Sequence, residues 1–164
     1  MKKYFVTALL ILSFSAIAHA QVQTLPSFSL PDPDGQMHSS AQLGKNGIVV
    51  IVSAPLLHDK SAQQAWSKFL VATKGNNQAS LIIIEDLAAS AFQGMASSEM
   101  KKDWKPGSLP MLLVDKTGTT HSSFGVDKDT TKIFVFNKGG NLVFSDAGSP
   151  SEAAAQTVWG KLGN

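Results

Sequence analysis

The densest run of chemistry-bearing side chains is His58-Asp59-Lys60. An imidazole, a carboxylate and an ammonium in succession can furnish a general base. They can also hold a small anion or a carboxylate. The anion reading gains from the helical pattern that begins just after them, because free backbone N–H groups at a helix start attract negative charge. A plainer reading makes Asp59 the cap of that helix and leaves His58 and Lys60 in solvent. His38, His58 and His121 are spread along the chain, and no pair has the close spacing of a zinc motif. They read as three separate surface histidines, and no metal or other cofactor is expected. Ser97-Ser98 and Ser122-Ser123 are not framed as Gly-x-Ser-x-Gly, so turns and caps account for them. Cysteine is absent altogether. Thiol–disulfide exchange and thiol peroxidase chemistry are therefore excluded for this chain on its own.

Three tryptophans complete the set. Trp66 and Trp159 fall on apolar helical faces and read as core. Trp104 has no periodic pattern around it and lies among Lys101, Lys102 and Lys105. It reads either as a partly buried loop anchor or as the aromatic centre of a partner-binding patch.

The elements that would position these residues follow a twenty-residue leader. Lys2 and Lys3 precede an apolar run from Tyr4 to Ile17, and Ala18-His19-Ala20 has small residues at the two positions a signal peptidase reads. Cleavage after Ala20 is expected, with export to the periplasm, or secretion, as the consequence. No membrane span is expected beyond it, and without cysteine no lipid can be attached to one. Residues 21–164 then form one domain, long enough to bury a core without disulfides. Lys2 and Lys3 are two of the 14 basic residues, so from Gln21 onward basic and acidic residues balance at 12 each. All the basic residues are lysines. A neutral, arginine-free domain is a poor nucleic-acid binder.

Phe28 and Leu30 alternate with serines before the turn residues Pro31 to Gly35, and Gln36 to His38 reads as the return strand of a hairpin. Ile48–Val52 and Leu81–Ile84 are apolar, β-branched runs that suit strands buried on both faces. Between them, Ala62, Ala65, Trp66, Phe69 and Leu70 recur at helical spacing, and Gly75 marks the stop. Strand, helix, strand at this spacing is a βαβ unit with parallel strands. Met95–Trp104 reads either as a short helix that Pro106-Gly107 breaks or as a mobile loop. Pro110–Val114 and Ile133–Phe136 are further strands, the second turning through Asn137–Asn141 into Leu142–Phe144. Ser149-Pro150-Ser151-Glu152 has the pattern of a capping box, with serine at the cap, proline at the first helical position and glutamate three after the cap. It opens a last helix whose Val158, Trp159 and Leu162 should face the sheet.

This order of elements resembles a thioredoxin-like fold of the peroxiredoxin or TlpA type. The residues that carry the resemblance are Leu30-Pro31-Asp32-Pro33-Asp34-Gly35, Leu112 to Gly118, Phe124-Gly125-Val126 and Phe134 to Gly140. Phe134 to Glu152 is most similar to the YtfJ-like family of exported bacterial proteins. The resemblance implies an α/β three-layer sandwich with a mixed central sheet, flanking helices and an N-terminal hairpin. It also implies where thiol chemistry would sit, in the segment Ser53 to Lys60, with Leu57 and Lys60 near the two cysteine positions. In redox-active members a helix start there lowers the thiol pKa. Thr131 falls where those members have a cis-proline, and a cis bond before a non-proline residue costs about 3 kcal/mol, so an ordinary trans peptide is expected.

A whole fold kept without its chemistry leads first to a non-enzymatic binding or accessory module of the envelope. Its partner would be a protein or peptide, lying at a groove beside the Ser53 to Lys60 segment, and the candidate binding residues are Leu57, His58, Asp59, Lys60, Thr131 and Trp104. The alternatives are a non-thiol enzyme or small-anion binder using His58-Asp59-Lys60, and a silent partner or regulator of an active thioredoxin-like oxidoreductase. Fold alone does not choose among them.

Overall fold

In a central strand, successive side chains point to opposite faces, so a strand apolar at every position must be covered on both. Ile48 to Val52 meet that condition, and all five are fully buried. The structure, a computed structural model, describes residues 22–53, 60–88, 90, 93–127 and 130–162. The leader at 1–20 and the residues Leu57, His58 and Asp59 lie outside the described residues.

The chain runs β1 (Ser29–Pro31), β2 (Met37–Ser39), α1 (Ser40–Leu43), β3 (Ile48–Ser53), α2 (Ser61–Thr73), β4 (Ser80–Asp86), α3 (Gln93–Asp103), β5 (Met111–Asp115), α4 (Thr119–Ser123), β6 (Thr131–Phe136), β7 (Leu142–Asp146) and α5 (Glu152–Gly160). β1 and β2 form the expected hairpin. The other five strands make one sheet in the order β5-β4-β3-β6-β7. β3, β4 and β5 are parallel, whereas β6 and β7 are antiparallel to their neighbours. The fold is therefore α/β with a mixed sheet.

The alternation along β3 sorts the core into two layers. Ile48, Val50 and Val52 pack with Phe28, Leu30, Leu43, Phe124, Phe134 and Phe136. That face is closed by the hairpin, α1 and the end of α4. Val49 and Ile51 pack with Trp66 and Leu70 of α2 and with Ala155, Val158 and Trp159 of α5. The Trp159 indole N–H donates to the Leu70 carbonyl at 3.0 Å and ties α5 to α2. Met100 of α3 reaches Leu87 and Val114 and covers the β4–β5 end of the same face.

Three expectations are corrected. The last helix starts two residues later than the capping pattern suggests. Ser151, in extended backbone, is the cap, and its hydroxyl accepts from the Ala154 N–H. Ser149 and Pro150 lie ahead of this cap and lead in to the helix. Lys60, with no side-chain hydrogen bond to the helix, occupies the cap of α2 that the sequence pattern assigns to Asp59. His38 and His121 are not surface histidines; they are 8% and 3% exposed. Each turns inward because a buried carboxylate receives it. His38 Nε2 is 3.0 Å from Asp32 Oδ2, and His121 Nδ1 is 3.7 Å from Asp86 Oδ2.

Asp32 organises the hairpin turn. One carboxylate oxygen accepts from the Asp34 and Gln36 N–H groups while the other meets His38. Burial by itself would raise the Asp32 pKa. The bond to His38 and the two N–H groups outweigh it and hold the carboxyl below its ordinary value of 3.8. A group whose pKa falls on folding stabilises the folded state above its unfolded pKa and loses that contribution as the pH drops through the folded value. Asp32→Asn is accordingly expected to cost about 2 kcal/mol at pH 7, a charge-assisted bond's worth. Urea unfolding at pH 7 and pH 3 checks this: the gap to the parent protein should narrow at the lower pH.

Candidate functional site

The strand register brings one row of residues to the carboxyl end of the sheet. Thr131 of β6 is opposite Ser53 of β3, Ser53 is beside Glu85 of β4, and Glu85 is beside Val114 of β5. The Ser53 and Thr131 hydroxyls approach to 3.4 Å, a long contact. The peptide before Thr131 is trans; among the described residues the cis bond is Leu109–Pro110, ahead of β5.

Lys60 stands above this row at the start of α2. A cation there opposes the positive end of the helix dipole, and no acidic residue in the first turn relieves it. Glu85 supplies the counter-charge. Lys60 Nζ lies 3.0 Å from Glu85 Oε1, with the glutamate side chain 4% exposed and the lysine about half exposed. At the place where the resemblance implies a thiolate on a helix start, this chain has a lysine paired to a buried carboxylate.

Beside the pair is a cavity of about 400 Å³. Its floor is Ile83 and Leu112, register partners on the face of the sheet that α2 covers. Gln63, one turn into α2, forms one wall with Lys60. The opposite wall comes from α3 and the residue that follows it: Ala96, Met100 and Trp104 recur every four residues, and the Trp104 N–H still bonds to the Met100 carbonyl, so the three share a face. The exposed side chains of Met95, Glu99 and Ser108 stand at its margin. Its lining is largely apolar, with a few polar groups.

Two of those polar groups are buried and have no partner among the described residues. Gln63 is only 6% exposed, and its Oε1 accepts no hydrogen bond. The buried Trp104 Nε1 donates none. An unsatisfied buried donor or acceptor costs about 1–3 kcal/mol, so two on facing walls of one cavity are an expense that packing does not explain.

Lys60 and Trp104, proposed from sequence, therefore meet at one cavity. Thr131 is on the adjacent row and does not line it. Trp104 is half-buried directly after α3, its backbone N–H held by the Met100 carbonyl. Gln63 was missed. Its signal was the spacing Gln63–Trp66–Leu70, which places a glutamine on the buried stripe of α2. Glu85 was missed too, because a single acid ending an apolar strand reads as the edge of the core.

A second, smaller cavity of about 280 Å³ is bordered by Asp86, Thr117, Gly118 and His121. The neighbouring Asp115 is structural. Its carboxylate accepts from the Thr117, Gly118 and His121 N–H groups and fixes the start of α4. Among the described residues no cluster of three or more histidine, aspartate or glutamate side chains is arranged to hold a metal ion. No described helix is long and apolar enough to cross a membrane.

The architecture is shared with solved thioredoxin-like proteins. The pneumococcal exposed lipoprotein thioredoxin of Streptococcus pneumoniae is 16% identical with a TM-score of 0.66, over 84% of this chain and 100% of that one. A thiol:disulfide interchange protein of the thioredoxin family from Chlorobium tepidum is 18% identical with a TM-score of 0.61, over 86% of this chain and 96% of its own. A peroxiredoxin-like protein from Aquifex aeolicus is 13% identical at 0.60, over 85% and 86%. No protein-family model and no curated protein matches the sequence. The chain has a thioredoxin-like fold and no cysteine with which to run that fold's thiol chemistry.

Because Glu85 is buried and Lys60 is half exposed, the two halves of the pair should respond unequally. Lys60→Met leaves a carboxylate in the interior without its charged hydrogen bond and is expected to cost about 2 kcal/mol. Glu85→Gln leaves a lysine that can reach water, so less should be lost. Urea midpoints of the two variants and the double variant give the comparison.

Proposed function

We propose that this chain is a redox-inactive binding module of the bacterial periplasm, exported by its leader and belonging with the YtfJ-like proteins. Its ligand seat is the cavity between α2 and α3. The observation that carries this reading is the pair of buried, unpartnered polar atoms, Gln63 Oε1 and Trp104 Nε1, on the walls of one largely apolar cavity. Ligand sites have this make-up: apolar walls that supply affinity and a few polar groups that fix orientation. Groups that the protein's own atoms leave without partners are groups a ligand can satisfy.

Two further observations support the reading. The absence of cysteine removes the fold's familiar chemistry while β3, β4, β6 and both helical layers remain intact. The Lys2-Lys3 start, apolar run and Ala18-His19-Ala20 give the grounds for export.

The test uses the full chain in its native host, with a photo-crosslinking residue at Met95 on the cavity margin or at Lys161 on the surface beyond α5. A discrete adduct at Met95 alone, on protein released by osmotic shock and lacking residues 1–20, is the expected result. It should disappear when Trp104→Ala is added. Equal adducts at both positions, or retention of the protein in the cytoplasm with its leader attached, would contradict the reading.

A further inference from the structure

The same cavity also indicates what kind of group it takes, an inference that rests on the reading just given. The acceptor that lacks a partner is an amide oxygen, Gln63 Oε1, and the donor that lacks one is an indole N–H, Trp104 Nε1. A ligand that completes this site brings one donor and one acceptor. The charged wall group that faces in, Glu85, already has its counter-ion in Lys60. A second net charge would have to be buried without a partner of its own, which is costly. The ligand is therefore neutral where it meets these atoms. Ile83, Leu112 and Met100 supply apolar surface on the floor and far wall. The volume, about 400 Å³, falls in the lower part of the range of small-molecule sites, about 300–1,000 Å³.

We propose that the cavity binds an uncharged carboxamide attached to an apolar group. Its carbonyl accepts from Trp104 Nε1–H, its N–H donates to Gln63 Oε1, and its apolar part lies on Ile83 and Leu112. An amide is a compact neutral group with a strong donor and a strong acceptor on separate atoms, so it can meet both walls of the cavity. An ester has the acceptor alone, and a hydrocarbon has neither. A carboxylate is excluded by its charge. The same chemistry is available from a small carboxamide and from the backbone of a short apolar peptide.

The experiment titrates ¹⁵N-labelled protein lacking residues 1–20, as released by the host, and follows the Trp104 indole resonance, assigned by its loss in Trp104→Phe. The probes are phenylacetamide, acetyl-phenylalanine methylamide, methyl phenylacetate and toluene. Both amides are expected to shift the resonance downfield and saturably, about tenfold more tightly than the ester, as one additional hydrogen bond allows. Tighter binding by the capped amino acid identifies a peptide as the source, and tighter binding by phenylacetamide identifies a small carboxamide. Gln63→Met should remove the amide's advantage over the ester. Trp104→Phe, whose binding is followed through backbone amide shifts, should weaken all three carbonyl probes. Gln63→Met should also unfold at the parent temperature or higher, because it deletes an unsatisfied buried acceptor; a lower unfolding temperature would make Gln63 a structural residue and overturn the assignment. Toluene or the ester binding as tightly as the amides would overturn the ligand class and leave the cavity as a binding site. Failure of every probe to perturb the Trp104 resonance or its neighbours would remove both.

Discussion

Five consecutive residues, Ile48 to Val52, are fully buried, and both halves of the molecule are built against their opposite faces. Burying an aliphatic side chain of this size contributes about 1.5–3 kcal/mol, and a strand that does so five times has no solvent face to spare. Everything else is placed by that requirement. The helices α2 and α5 cover one side, and the N-terminal hairpin with Phe124 covers the other. The βαβ crossover then sends the start of α2 to the carboxyl end of the sheet, beside the tips of β3, β4 and β6. In open α/β sheets this end is where ligands bind.

At that end the polypeptide has been left with an unusual charge arrangement. A thioredoxin-like scaffold offers a helix start that stabilises an anion, and a thiolate is one such anion. Here the position next to the helix holds a cation, Lys60, whose counter-charge comes from across the layer, at Glu85. The pair occupies the polar end of the cavity and leaves the remainder to Ile83, Leu112 and the α3 face. Trp104 and Gln63 then stand out on the cavity walls, because they are buried polar groups outside that pair and outside the backbone ladders. Sites that bind are commonly less stable than they could be, since groups kept ready for a ligand are unsatisfied without one.

Much of the architecture was legible because its elements are strongly patterned. The β-branched runs of β3 and β4, the apolar stripe of α2 and the Gly-rich turn before β7 each carry a local signal that agrees with the final packing. The site was less legible because its signals are not local. Gln63 looks like one more polar helix residue until the helix is seen to present it with Trp66 and Leu70. Glu85 and Lys60 are 25 residues apart, and His121 and its carboxylate at Asp86 are 35 apart, so neither pairing has a sequence signature. The short helices α1 and α4 depend on serine capping and on Asp115, not on periodicity, and escaped notice for that reason. The cap of α5 was displaced by two residues because two serines flank Pro150, and only backbone geometry decides between them.

The claim that joins these observations is that the α2–α3 cavity is kept open for a ligand. The most direct measurement is a crystal structure of the protein purified from its host without denaturation. Density for a bound molecule within hydrogen-bonding distance of Gln63 Oε1 and Trp104 Nε1 is the predicted result. A cavity filled by its own side chains, with both atoms bonded to protein groups, would contradict the account.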